Sequence, residues 1–194
     1  INVHIVDNGR TLRENDFPQS DRIKLHSNKN VGGSGGFARG MLESMRQQPK
    51  ATNVLLMDDD VLILPESIYR TFMMLKLEKN EYKNAFINGA MLYYEDKNFQ
   101  HEDIGTISDK AKFSPRKPRY CMTHLKDVLD NERWFPPVEN QYGAWWYCCI
   151  PMNVIENKGL PLPLFIRGDD AEYGMRCKPE FITMNGICIW HMGF

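Results

Sequence analysis

The stretch Asn53-Val54-Leu55-Leu56-Met57-Asp58-Asp59-Asp60 places three carboxylates directly after a short apolar run. The run predicts a buried strand, and side chains at the end of such a strand project into the crevice at the carboxyl edge of a parallel sheet. Because side chains alternate along an extended chain, Asp58 and Asp60 point the same way and Asp59 points elsewhere. Two converging carboxylates repel each other, and Mg²⁺ or Mn²⁺ relieves that repulsion while bridging a substrate's phosphates. The alternative is a solvated acidic loop that caps the next helix.

Strand and helix patterns alternate on both sides of this stretch, which is typical of a mainly parallel, mixed sheet flanked by helices. Strands are predicted at residues 1–6, 23–25, 53–57, 85–94 and 142–150, and helices at 37–47, 65–77, 151–157 and 169–177. The dipeptide Asn185-Gly186 predicts a hairpin between strands 181–184 and 187–191. Residues 95–137 are polar and contain several prolines, which favours a long functional or disordered loop.

Composition limits the class of protein. The chain has 194 residues, of which 42% are hydrophobic, enough for one globular domain with a core. A net charge of -1, from 24 basic and 25 acidic residues, argues against a protein that coats nucleic acid. Five cysteines without a C-x-x-C spacing favour a reducing compartment. The chain begins inside a predicted strand, so we expect a piece of a longer protein, truncated at the N-terminal strand of its fold.

A second acidic cluster, Arg167-Gly168-Asp169-Asp170-Ala171-Glu172-Tyr173, follows the apolar run 160–166. Asp170 is a candidate general base if an acceptor hydroxyl lies within hydrogen-bond reach. The structural alternative is an N-cap, and Asp169 is the better candidate for that role because it lies closest to the expected helix start. Both interpretations can hold, with one aspartate capping the helix and the other acting as the base.

Two other features have both a structural and a functional interpretation. His191 follows Trp190 at the end of a predicted strand, and a lone histidine there is more often a core residue than a ligand. In the run Trp145-Trp146-Tyr147, alternation sends Trp146 to the opposite face from its neighbours. One indole is therefore expected to be exposed, where it can stack on a sugar ring.

The glycine cluster 32–36 has neither the G-x-G-x-x-G spacing of a dinucleotide-binding turn nor the lysine of a P-loop. Its glycines allow close backbone approach to a nucleotide or tight packing of the following helix.

Taken in order, these motifs resemble the family 2 glycosyltransferases with a GT-A fold, and within them the galactofuranosyltransferases of bacterial cell walls. The motifs that carry the resemblance are Asp7-Asn8, the segment 30–40, Asp58-Asp59-Asp60, Trp145-Trp146, Asp169-Asp170-Ala171-Glu172-Tyr173 and Trp190-His191. The resemblance implies an inverting enzyme that moves a sugar, galactofuranose being the candidate, from a UDP-type nucleotide-diphosphate donor to a glycan or lipid-linked glycan acceptor in cell-wall or surface polysaccharide synthesis.

The resemblance also implies roles for single residues, by position. Asp170 is the implied catalytic base, and the implied ligands of Mg²⁺ or Mn²⁺ are Asp58, Asp60 and His191. Implied contacts to the nucleotide sugar come from Asp7, Asn30, Arg39, Asp58 and Asp59. Implied contacts to the acceptor come from Trp145, Trp146 and Asp169.

On this basis residues 1–194 form one GT-A catalytic fragment, with a nucleotide-binding half at about 1–94 and an acceptor half at about 95–194. The expected location is cytoplasmic, at the inner face of the membrane, where the basic stretch 116–119 would meet anionic head groups. No nucleic-acid partner is expected, and homo-oligomerisation is left open. The alternatives are a nucleotidyltransferase and a non-catalytic module that binds a nucleotide sugar or carbohydrate.

Overall fold

The computed structural model describes residues 1–193. Its five helices are α1 (Gly32–Arg46), α2 (Pro65–Leu77), α3 (Leu125–Asn131), α4 (Met152–Lys158) and α5 (Asp169–Cys177). Its strands are β1 (Val3–Asp7), β2 (Ile23–Ser27), β3 (Asn53–Leu56), β4 (Leu62–Ile63), β5 (Phe86–Asn88), β6 (Ala90–Tyr93), β7 (Gln100–Glu102), β8 (Gly105–Ile107), β9 (Phe113–Pro115), β10 (Gln141–Tyr142), β11 (Cys148–Pro151), β12 (Phe181–Ile182) and β13 (Cys188–His191).

The strands form mixed sheets, as predicted for this α/β chain. They are ordered β12-β5-β11-β3, β4-β13-β6-β7 and β10-β8-β9, with β1 and β2 as a separate parallel pair. The predicted predominance of parallel pairing is wrong for the described part of the chain, because only β1-β2, β5-β12 and β6-β13 pair in parallel. Strand β11 contributes two of the antiparallel pairs, since it lies antiparallel between β3 and β5.

Strand β11 also divides the core in two. All four of its residues are buried. Cys148 and Ile150 belong to one apolar cluster and Cys149 to another. Because successive side chains of a strand point to opposite faces, each face of this sheet carries its own packed core.

Two predicted long strands are each divided in two. Residues 85–94 form β5 and β6, which lie in different sheets and separate at Gly89. A Cβ at Gly89 would lie 2.7 Å from the ring of Tyr147, so the chain needs glycine where it crosses between sheets. Residues 142–150 likewise divide into β10 and β11, and the two tryptophans lie in the irregular segment between them.

The predicted hairpin at Asn185-Gly186 is wrong. The turn forms, with Gly186 at φ 84° and the Ile187 N–H donating to the carbonyl of Met184 at 3.1 Å. However, β12 pairs with β5 and β13 pairs with β6, so the strands that flank the turn enter different sheets.

Helix α1 begins at Gly32, five residues before its predicted start. Gly32 has a φ of 79°, and a Cβ there would lie 2.1 Å from the carbonyl oxygen of Phe165. The Gly33 N–H donates to the same oxygen at 3.3 Å, and the Ser34 hydroxyl donates to the carbonyl of Leu162. The glycines therefore serve the close packing of this helix against the loop 162–165.

Residues 95–137 are more ordered than the sequence indicates, because they contain β7, β8, β9 and α3. The basic stretch 116–119 is used inside the chain: buried Lys117 pairs with Asp103, and Arg119 lies 3.2 Å from Asp96. The expected contact of this stretch with anionic head groups stays a prediction, with Lys117 buried and Arg119 exposed. None of the helices in residues 1–193 has the length and apolar character that crossing a membrane requires.

Candidate active site

The ends of two strands bring together the three predicted metal ligands. Asp58 and Asp60 follow β3, and His191 is the last residue of β13. Strand β13 pairs antiparallel with β4, which begins two residues after Asp60, so the imidazole lies beside that carboxylate. One donor atom from each of the three side chains lies within 4.8 Å of the other two.

Hydrogen bonding at His191 determines which ring nitrogen faces Asp60. Its Nδ1 lies 2.6 Å from the carbonyl oxygen of Met192, which can only accept, so Nδ1 carries the proton. Its Nε2 faces Oδ1 of Asp60 at 3.1 Å. A neutral imidazole would present a lone pair to a negative oxygen, so this contact requires either an imidazolium or a metal ion between the two groups. Two carboxylate oxygens and one imidazole nitrogen form a donor set that Mn²⁺ and Mg²⁺ accept.

The half-buried Asp58 is the least hydrated carboxylate of this set. Burial raises its pKa to about 6, the charge of Asp60 adds to the effect, and His191 opposes it. The side chain of Asp60 is 67% exposed. Asp59 is exposed beside them. The site is therefore an acidic crevice in which neighbouring carboxylates repel one another.

Asp170 lies near this crevice, in the first turn of α5. Burial raises its pKa to about 7, and the charges of Asp169 and Asp58 add to the rise, while the Ala171 N–H, which donates to its Oδ1 at 2.7 Å, opposes it. A carboxyl group whose pKa lies near neutral pH suits a general base. The structure thus places the predicted base where it interacts electrostatically with a predicted metal ligand.

Helix α5 is capped differently from the expectation. Its N-cap residue is Gly168, at φ 86°, and not an aspartate; the carboxylates of Asp169 and Asp170 accept N–H groups from within the first turn. Glycine adopts this left-handed conformation at little cost, which explains its presence before the two acids. Asp169 is the first helical residue; burial raises its pKa, and the backbone N–H groups of Asp169 and Asp170 oppose that rise.

The predicted nucleotide contacts serve the local fold in this conformation. Asp7 is buried at the end of β1, where its carboxylate accepts the Leu12 N–H at 2.8 Å, and this and other loop N–H groups hold its pKa below the usual value. Asn30 accepts the Gly32 N–H at 3.3 Å. Arg39 pairs with Glu43 at 2.8 Å. Their roles toward a nucleotide remain predictions.

Both tryptophans are buried, with exposures of 4% for Trp145 and 7% for Trp146, so the expectation of an exposed indole is wrong. Trp145 packs edge to face against Phe37 and Tyr173 in one apolar cluster, whereas Trp146 belongs to the other. The expected alternation is present. Trp146 is nevertheless not exposed, because the side chain that points away from the first apolar cluster is buried in the second. The acceptor roles of both tryptophans remain predictions.

Glu102 is a buried acidic residue beside this site that the sequence patterns do not predict. It ends β7, is 4% exposed, and its Oε1 has no hydrogen-bond partner among residues 1–193. Burial raises its pKa to about 8, and the charges of Asp170 and Asp103 add to the rise. The available signal was the pair Glu102-Asp103, which lies in a stretch predicted to be irregular.

No protein-family model matches the chain. Among curated proteins, the galactofuranosyltransferase GlfT2 of Mycolicibacterium smegmatis is 32% identical over the whole chain, and GlfT2 of Mycobacterium tuberculosis is 32% identical over 99% of it. The chain spans about a third of the length of these relatives, 32% of each. Along its whole length, the chain is therefore similar to the mycobacterial galactofuranosyltransferases, and the predicted resemblance to galactofuranosyltransferases is confirmed.

Proposed function

We propose that the chain is the catalytic part of an inverting, metal-dependent glycosyltransferase with a GT-A fold that transfers galactofuranose from a UDP-linked donor to a cell-wall glycan. The names of the relatives support the sugar and the reaction class. One observation carries the proposal: the donor atoms of Asp58, Asp60 and His191 converge within 4.8 Å, and Asp170 interacts electrostatically with Asp58.

Asp58, Asp60 and His191 would hold Mn²⁺ or Mg²⁺, and that cation would neutralise the charge of the donor's diphosphate as it leaves. The Met192 carbonyl accepts the proton of His191 Nδ1, so Nε2 would be the ligand atom. The protein's own part is to hold these groups on the ends of two strands, so that the site is formed before the substrate binds.

Asp170 would take the proton of the acceptor hydroxyl while that oxygen attacks the anomeric carbon from the face opposite the diphosphate. One displacement of this kind inverts the anomeric configuration. With a pKa of about 7, Asp170 is partly ionised at neutral pH and is basic enough to accept the proton.

Titration calorimetry of the intact protein with UDP, with and without Mn²⁺, tests the metal site. Asp58→Ala and Asp60→Ala should each remove the Mn²⁺-dependent part of UDP affinity without unfolding the chain, because each change relieves carboxylate repulsion. Asp127→Ala is a control, since Asp127 lies on α3 and its carboxylate accepts the Cys121 N–H instead of joining the group of Asp58, Asp60 and His191. Undiminished Mn²⁺-dependent affinity in both site variants would contradict the assignment, and release of free galactose from UDP-galactofuranose would show turnover beyond binding.

A further inference from the structure

One face of the small sheet β10-β8-β9 carries a group of polar side chains. Thr106 pairs with Ser114 on one side and with Gln141 on the other, so these three side chains point to the same face. Arg116 follows Ser114 by two residues, and its backbone N–H continues the pairing by donating to the carbonyl of Ile104 at 2.9 Å. Its guanidinium therefore lies on this face too, where Nη1 donates to the amide oxygen of Gln141 at 3.3 Å.

The opposite face of the sheet is apolar and packs against α5. Tyr142 pairs with Gly105 there, and its ring lies edge to face with the ring of Phe113 at 5.9 Å. A Cβ at Gly174 of α5 would lie 2.8 Å from the Tyr142 Cβ. The polar face therefore points away from the helix that carries Asp170.

The guanidinium of Arg116 is half-buried and incompletely paired. Its Nε has no hydrogen-bond partner among residues 1–193. Burial lowers the pKa of Arg116 and the charge of Asp103 opposes that change, but the Asp103 carboxylate pairs with Lys117. Removing a guanidinium from water without a counter-ion costs free energy, and buried N–H groups almost always have partners. The arrangement therefore indicates that a negatively charged acceptor belongs beside Arg116.

An open cavity of about 380 Å³ lies over this polar face, a volume in the range of small-molecule sites. The charged residues of its lining are Arg116, Lys112 and Glu139, which together carry a net positive charge. The Ser108 hydroxyl accepts the Lys112 N–H at 3.2 Å, so its own proton is available to a ligand. The hydroxyl residues of the lining are Thr106, Ser108 and Ser114. Guanidinium, ammonium and hydroxyl groups are the donors that bind phosphate in proteins.

We propose that this polar face binds phosphate, with Arg116 and Lys112 as the cationic groups. The hydroxyls of Ser108 and Ser114 supply further hydrogen bonds. A guanidinium binds phosphate through two parallel N–H groups, and with Nη1 on Gln141 the edge formed by Nε and Nη2 would face the phosphate. Phosphate presents three or more oxygens to donors that are spread over the face, whereas a carboxylate presents two in one plane.

The phosphate belongs to a soluble phosphorylated molecule or to a lipid head group, since both present the same oxygens to these donors. The site goes beyond the proposed function, because neither the three predicted metal ligands nor Asp170 takes part in it.

Arginine side-chain NMR and calorimetry of the intact protein test the site. Titration with inorganic phosphate, with EDTA present so that no divalent cation enters the acidic crevice, should shift the Nε–Hε signal of Arg116. Arg116→Gln should weaken phosphate binding by roughly ten-fold or more, because a charge-assisted hydrogen bond is lost. Lys112→Gln, at an exposed position, should keep the fold and weaken phosphate binding by roughly three-fold.

Arg46→Gln is the matched control. It removes the same charge from the end of α1, where the Arg46 side chain is 68% exposed and pairs with Glu43 at 3.5 Å. Because charges distant from the phosphate are screened by salt, this variant should bind phosphate within about two-fold of the unmodified protein.

Vesicles of phosphatidylcholine, with and without phosphatidylglycerol, distinguish the two sources of the phosphate. Cosedimentation that requires phosphatidylglycerol, and that falls in both Arg116→Gln and Lys112→Gln, would mean a lipid head group. Binding of inorganic phosphate without cosedimentation would mean a soluble molecule.

The inference is overturned if neither probe binds, or if Arg116→Gln and Lys112→Gln bind both probes as tightly as the unmodified protein does. It is also overturned if Arg46→Gln loses as much affinity as Lys112→Gln, because the effect is then one of net charge. Where Arg116→Gln does not fold, Lys112→Gln and Ser114→Ala decide by the same comparison with Arg46→Gln. None of these measurements needs turnover, so their outcome is independent of the proposed function.

Discussion

Glu102 gives this protein an unusual dependence of stability on pH, which Glu102→Gln should remove. Its pKa rises from 4.5 to about 8 on folding because the carboxyl group is buried beside Asp170 and Asp103. A carboxyl group whose pKa is raised in the folded state binds more protons there than in the unfolded chain. Its contribution to stability is therefore complete below pH 4.5 and is lost as pH rises toward 8.

The magnitude follows from the two pKa values. Between pH 4 and pH 7 the unfolded chain releases this proton and the folded chain keeps it, over about 2.5 pH units above 4.5. At 1.36 kcal/mol per unit, the free energy of unfolding falls by about 3 kcal/mol through this group alone. Glutamine has nearly the same shape, stays neutral and does not titrate, so Glu102→Gln should lack that loss.

Urea unfolding of both proteins at several pH values between 4 and 7 measures the effect. The quantity to compare is the difference in unfolding free energy between the variant and the unmodified protein, because other titrating groups largely cancel in it. That difference should shift by about 3 kcal/mol in favour of the variant from pH 4 to pH 7. A difference that stays constant over this range would refute the reasoning, because it would mean that Glu102 is already ionised in the folded chain.

Three further predictions concern the base, a tryptophan and a glycine. Asp170→Asn should bind UDP and Mn²⁺ almost normally and lose transfer by roughly 10²-fold or more, the scale for a lost general base, whereas an active Asp170→Asn beside a folded but inactive Asp169→Asn would reverse the two roles. Trp146→Ala should lower the unfolding free energy by about 3–5 kcal/mol in chemical denaturation because the indole is buried, and a loss below about 1 kcal/mol would contradict its place in the core. Gly32→Ala should lower the melting temperature more than Gly159→Ala, because both have a φ of 79° but only Gly32 has a backbone carbonyl within 2.1 Å of the added Cβ; equal losses would mean that the contact with Phe165 does not constrain α1.

The sequence alone determined the local elements and the chemistry of the crevice. An apolar run before three aspartates predicts a strand that ends in a group of carboxylates. Pro65 and the apolar spacing after it predict both ends of α2. The order of short motifs identified the relatives, and it predicted that His191 is a metal ligand, although a lone histidine carries little signal. These features depend on residues close in sequence, or on a pattern that needs no contacts to be recognised.

Only the tertiary structure decided which strands pair and what each buried polar group meets. Periodicity does not show that a strand divides at Gly89, or that β11 lies antiparallel between β3 and β5, because both depend on residues distant in sequence. The burial of both indoles follows from a sheet with a core on each face. Glu102 became visible only when β7, β10 and α5 had been brought together, since a glutamate's pKa and partners depend on its surroundings and not on its neighbours in the chain.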